Sequence, residues 1–156
     1  MYRKYLLSFL FLLFFSFNTT AQKVFYDTLY FDTDKYAIEA GHLNVLQHFV
    51  RIAKKADAFY IEIYGHTDNV NTDEYNLALS QKRAETIETY FAGQFPDCYI
   101  HTAYFGLRNP SLPNKTAYGK AKNRRVEIKL WVSADSDIRE ADNSEIIPYI
   151  KPLAPA

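Results

Sequence analysis

Between Phe59 and Phe91 the hydrophobic period of the chain changes from two to about 3.6, and that change restricts the fold more than any other feature. Phe59-Tyr60-Ile61-Glu62-Ile63-Tyr64-Gly65 alternates β-branched and aromatic residues with polar ones, the pattern of a half-buried strand. After a polar loop, Leu77, Ser80, Ala84, Ile87 and Phe91 recur at helical steps, and Gly93 is placed to stop the helix. Asn76 is the expected N-cap. Asp68 then lies on the loop just past a strand end. Asn76 and Arg83 are almost two turns apart, so an amide and a guanidinium share one helical face.

The rest of the chain reads in the same terms. A strand is expected over Val24–Phe31 and a helix over about Gly41–Lys55, with Leu43, Leu46, Val50 and Ala53 on one stripe. Cys98–Phe105 reads as a third strand. In the fourth, Arg125–Val132, Val126, Ile128, Leu130 and Val132 alternate with Arg125, Glu127, Lys129 and Trp131, so one sheet face is buried and the other wet. The expectation is an α+β fold, a two-layer sandwich of order β-α-β-α-β-β, with a mixed four-stranded sheet covered on one face by two helices.

Residues 1–21 begin with Arg3 and Lys4, continue through an apolar run from Leu6 to Phe17 and end on Thr19-Thr20-Ala21, which predicts a secretory signal peptide cleaved before Gln22. A run of about a dozen residues is shorter than the roughly 20 that span a bilayer, so no transmembrane segment is expected in the mature chain. The single cysteine, Cys98, is far from that site, so no lipoprotein anchor is expected either. It is unpaired in an exported chain and reads as a small buried hydrophobe. Removing Arg3 and Lys4 from 18 basic residues leaves 16 against 18 acidic ones, a net of −2, which argues against nucleic acid as a partner. Residues 22–132 make one domain, and 133–156 form an acidic linker followed by the apolar, Pro-containing tail Ile146-Ile147-Pro148-Tyr149-Ile150, suited either to docking or to remaining free.

Three ordered blocks carry a resemblance: Gly65-His66-Thr67-Asp68; Asn76-x-x-Leu79-Ser80-x-x-Arg83-Ala84; and Asn123-Arg124-Arg125-Val126-Glu127-Ile128. Together with Phe31-Asp32-Thr33-Asp34-Lys35 and the Gly106…Pro110 turn, they resemble the OmpA-like peptidoglycan-binding domain from about Phe31 to Trp131. The resemblance implies non-catalytic binding of the diaminopimelate residue in the peptidoglycan stem peptide, in the periplasm near the cell wall and outer membrane. Asp68 would take the ligand's ammonium and Arg83 its carboxylate, as suits a bidentate guanidinium. Thr67 and Asn76 would add polar contacts. Thr33 and Asp34 would supply backbone donors, and Arg124 is a weaker member of the same site. An outer-membrane or periplasmic protein is a further possible partner, and an envelope scaffold that keeps the fold without binding the wall is the alternative function. Two departures stand out: Asn71 replaces the family's usual loop glycine, and Leu107 replaces a common glutamate. Asparagine enters the left-handed region more readily than other non-glycine residues, so the turn should survive.

Without those blocks, Asp68 and Arg83 would read as an ordinary loop-to-helix salt bridge. Tyr60, Tyr64, Tyr99 and Tyr104 suggest a stacking platform but fit the wet face of a sheet equally well. His66 reads as a hydrogen bonder that fixes its loop, since no second histidine or cysteine lies at metal-ligand spacing. The acidic loop Asn69–Glu74 lacks the glycine and terminal glutamate of a calcium loop. Ser80 has neither a nucleophile elbow nor a third triad member, so no catalytic residue, metal or cofactor is expected. The basic cluster Lys120–Arg125 reads as a solvated loop leading into the last strand.

Overall fold

The computed structural model describes residues 22–133; the signal-peptide and tail expectations fall on residues outside that range. Its elements are β1 (Gln22–Tyr30), α1 (Ala40–Lys55), β2 (Phe59–Gly65), α2 (Asp73–Gln94), β3 (Ile100–Tyr104), α3 (Ala117–Asn123) and β4 (Arg125–Ser133). The sheet order is β1-β4-β2-β3. β4 runs antiparallel to both β1 and β2, whereas β2 and β3 are parallel, as the α2 crossover between them requires. The mixed four-stranded α+β sandwich is therefore as the alternation indicated.

The core lies between the sheet and two helices. α1 packs on β1 and β4, and α2 on β2 and β3. Leu29, Ile61, Ile63, Val126, Ile128, Leu130 and Val132 face Leu46, Phe49, Ile52, Ala84, Ile87 and Phe91. At roughly 25 cal/mol per Å² of apolar surface, this layer is the main source of stability. On the opposite face the register aligns Val24, Trp131 and Tyr60 across three strands. Tyr60 stacks on Trp131 at 5.7 Å and meets Tyr99 at 6.4 Å, so these rings belong to the open face of the sheet.

Four details differ from expectation. A third helix, α3, occupies most of the basic cluster read as a loop; Thr116 caps it by accepting from Gly119 N at 3.0 Å. Leu43 is exposed, and His42 carries the burial in the first turn of α1. Its Nδ1 accepts from Glu39 N at 3.2 Å while Nε2 donates to Tyr30 O at 2.8 Å, tying the start of α1 to the end of β1. Cys98 lies before β3 and is only half-buried against the core. Gly93 falls inside α2, which runs one residue further.

Candidate functional site

The geometry of the loop end starts with a close approach. A Cβ on Gly65 would overlap the Ser80 carbonyl, so only glycine lets the end of β2 lie against α2. His66 N then bonds Arg125 O at 2.9 Å and Thr67 N bonds Gly106 O at 2.9 Å, aiming the chain toward Asp68. Gly106 has φ +56° and donates to Ser80 Oγ at 2.9 Å, so the turn before α3 is fixed to α2 as well. Ser80 also donates to Leu77 O at 2.8 Å; both of its contacts are structural and neither involves His66.

α2 begins four residues earlier than expected. Its N-cap is Thr72, whose hydroxyl accepts from Tyr75 N at 3.3 Å, with Asp73 and Glu74 in the first turn where the helix dipole favours acids. Asn76 is inside the helix. Its buried amide donates to Val70 O at 2.7 Å and Asn71 O at 3.3 Å, closing the loop that carries Asp68. Asn71 adopts φ +74°, the left-handed conformation its amide side chain tolerates.

Arg83 is fully buried beneath this loop. Its Nε donates to Lys35 O at 2.8 Å, Nη1 to His66 O at 2.9 Å and Nη2 to Asp32 O at 3.0 Å, and its guanidinium lies 5.2 Å from the Phe31 ring centroid. One side chain thus joins the loop after β1 to the loop after β2. Burial pushes its pKa down to about 10, Arg124 acts in the same direction, and Asp68, Asp34 and Tyr75 oppose it; the group stays charged at neutral pH. A guanidinium has five N–H donors, so two remain beyond these three bonds.

The salt bridge between Asp68 and Arg83 envisaged from sequence does not form. Asp68 Oδ2 pairs with Arg124 Nη1 at 3.0 Å, and Oδ1 accepts from Val70 N at 3.1 Å. Arg124 also donates from Nε to Phe31 O at 3.0 Å, so the arginine judged weaker from sequence is the direct partner of the acid. It ends α3, and its neighbour Arg125 turns to the other face, pairing with Glu127 at 2.7 Å. The candidate residues Asp68, Arg83, Arg124 and Asp34 are therefore one electrostatic cluster, with Thr67 in the loop that carries Asp68 and Asn76 in the helix that closes it. Thr67 Oγ1 is buried and makes no hydrogen bond among the described residues. Thr33 is exposed at the tip of the first loop, and Asp34 beside it has φ +58° and accepts from Tyr75 Oη at 3.1 Å.

His66 corrects another expectation. Neither ring nitrogen makes a hydrogen bond among the described residues; the ring stacks on Phe105 at 5.2 Å, and the backbone, not the imidazole, fixes the loop. Burial lowers its pKa to about 4, helped by Arg125 and opposed by Glu127, whose carboxylate is 3.9 Å from Nε2. Among the described residues no group of three or more His, Cys, Asp or Glu side chains is placed to hold a metal ion. Sequence reasoning missed Tyr75, and it named Asn123 in a motif block without giving it a role. The buried Asn123 amide holds Ser111 N, Leu112 N, Leu112 O and Asn114 Oδ1, shaping the turn that leads into α3.

Comparison with known proteins agrees with this arrangement. A model of the OmpA family matches residues 30–124, which include Asp34, Asp68, Arg83 and Arg124. The chain belongs to the OmpA family. It is similar to outer membrane protein A of Bordetella avium, 36% identical over 111 residues that are 70% of this chain and 57% of that protein. It is also similar to the peptidoglycan-associated lipoprotein of Haemophilus influenzae, 33% identical over 66% of this chain and 68% of that protein. Among solved structures, the peptidoglycan-associated lipoprotein from Burkholderia pseudomallei superposes with a TM-score of 0.62 at 31% identity, covering 66% of this chain and 88% of that one. The chain thus spans little more than half the length of the Bordetella relative. No helix among the described residues is long and apolar enough to cross a membrane.

Proposed function

We propose that this OmpA-family domain binds peptidoglycan without catalysis, on the periplasmic side of a bacterial envelope, by recognising the diaminopimelate of the stem peptide. The observation that carries the reading is the buried polar cluster at the loop end of the sheet. Asp68, only 4% exposed, and the fully buried Arg83 offer opposite charges within one cluster, beside a buried hydroxyl on Thr67 that has no partner of its own. A ligand bearing an ammonium and a carboxylate on one carbon matches that set: Asp68 accepts from the ammonium, and the remaining N–H donors of Arg83 meet the carboxylate. Arg124 already holds Asp68, so it orients the acid before the ligand arrives and must share it afterwards. The names of the Haemophilus and Burkholderia relatives associate those proteins with peptidoglycan, which supports the same reading here. Export through residues 1–21 belongs to the proposal as well.

Pull-down on purified sacculi, with and without free meso-diaminopimelate as competitor, tests it. The reading expects binding that the free amino acid displaces. An envelope scaffold using this fold for a protein partner alone would leave the sacculi unbound, and an enzyme would release muropeptide fragments.

A further inference from the structure

The loop after β1 is held at its two feet by Arg83, through the carbonyls of Asp32 and Lys35. A turn bond from Lys35 N to Asp32 O at 3.2 Å closes the same loop. Between those feet lies its tip, Thr33 and Asp34, and Asp34 adopts a left-handed conformation that costs a non-glycine residue free energy unless something secures it. Tyr75 is placed to secure it. Its backbone is fixed in the first turn of α2 by the Thr72 cap, the residue is 44% exposed, and its hydroxyl donates to Asp34 Oδ1 across 41 residues of sequence. The contact also fixes a charge, because Asp34 is one of the acids that favour the charged form of Arg83. The hydrogen bond to Asp34 raises the Tyr75 pKa, so the phenol stays protonated and donating throughout the neutral range.

We infer that Tyr75 is a positioning residue of the binding site: its hydroxyl latches Asp34 and thereby holds the tip of the first loop, and the carboxylate beside Arg83, in the ligand-ready arrangement. This rests on the binding function proposed above. Tyr75 does not touch the ligand in this account; it acts through Asp34.

The test is a double-mutant cycle read by titration with a soluble stem tripeptide ending in meso-diaminopimelate, alongside thermal denaturation. Tyr75→Phe should weaken binding roughly three- to tenfold, the range expected for losing one solvent-facing hydrogen bond to a carboxylate, with the melting temperature nearly unchanged. Asp34→Ala should cost at least as much, and Tyr75→Phe on top of it should cost nothing further. Asp34→Asn should recover part of what Asp34→Ala loses, since its amide oxygen still accepts from the hydroxyl and asparagine tolerates the left-handed region, while the charge beside Arg83 is gone. Tyr99→Phe, at the far end of the sheet, should bind as the parent does. Parental affinity for Tyr75→Phe, or fully additive losses in the cycle, overturns the latch. Asp68→Ala in the same assay separates the two claims: if it loses binding while Tyr75→Phe does not, the latch alone fails. If it binds as the parent, the site assignment fails and the latch with it.

Discussion

The two halves of α2 bury the same face against different kinds of neighbour. From Ala84 to Phe91 that face is apolar and lies on the sheet; from Asn76 to Arg83 it carries an amide, a hydroxyl and a guanidinium and lies under loops. The first arrangement stabilises by removing hydrocarbon from water. The second is tolerable only because loop carbonyls complete the buried donors, and it sets the buried Asp68 and Thr67 side by side at the loop end. The fold is thus held at one end of the helix, and the proposed chemistry is held at the other.

Phe91→Ala should break the apolar half at a cost of about 3–5 kcal/mol in chemical denaturation, while whatever folded protein remains binds sacculi normally. Arg83→Met keeps much of the stem volume but deprives the carbonyls of Asp32, Lys35 and His66 of their donor. We expect about 3 kcal/mol of lost stability together with lost binding, so this variant couples the two properties that Phe91→Ala separates. The complete burial of Arg83 is the reason that its removal disturbs fold and site together.

A smaller effect should come from acid. The folded His66 pKa, about 4, lies below the ordinary 6.5, so between those values the unfolded chain binds the extra proton. Stability from this group is present above about pH 6.5, falls as pH drops toward 4, and is then fully lost, amounting to roughly 2–3 kcal/mol. Denaturation midpoints between pH 7 and 4 check this, and His66→Phe, which stacks on Phe105 without titrating, should flatten the dependence.

The strands, α1, most of α2 and the composition of the cluster were legible because each depends on local periodicity or a short motif. What was not legible depends on distant partners. Asp68 meets Arg124 across 56 residues, and only α3 places that arginine. The burial of Arg83 was hidden because its partners are backbone carbonyls, which carry no sequence signature. The start of α2 does carry a local signal, Thr72 followed by two acids, but Asn76 is an equally good cap by residue type and only the loop bonds of its amide set it inside the helix. His66 was misread since a buried ring stacked on Phe105 looks, in sequence, like any loop histidine.

Asp68 would hold the ammonium of the ligand, and it belongs to the polar loop end of the fold and not to its apolar support. Affinity of parent and Asp68→Asn for purified sacculi should be measured with circular dichroism on the same samples. Asparagine can still accept from Val70 N though it gives up the Arg124 pair, so the fold should stay native at somewhat lower stability. Losing a charged acceptor for the ammonium should cost roughly ten- to a hundredfold in affinity, and free diaminopimelate should compete with the parent only. A folded Asp68→Asn protein that binds sacculi as tightly as the parent would contradict the central claim.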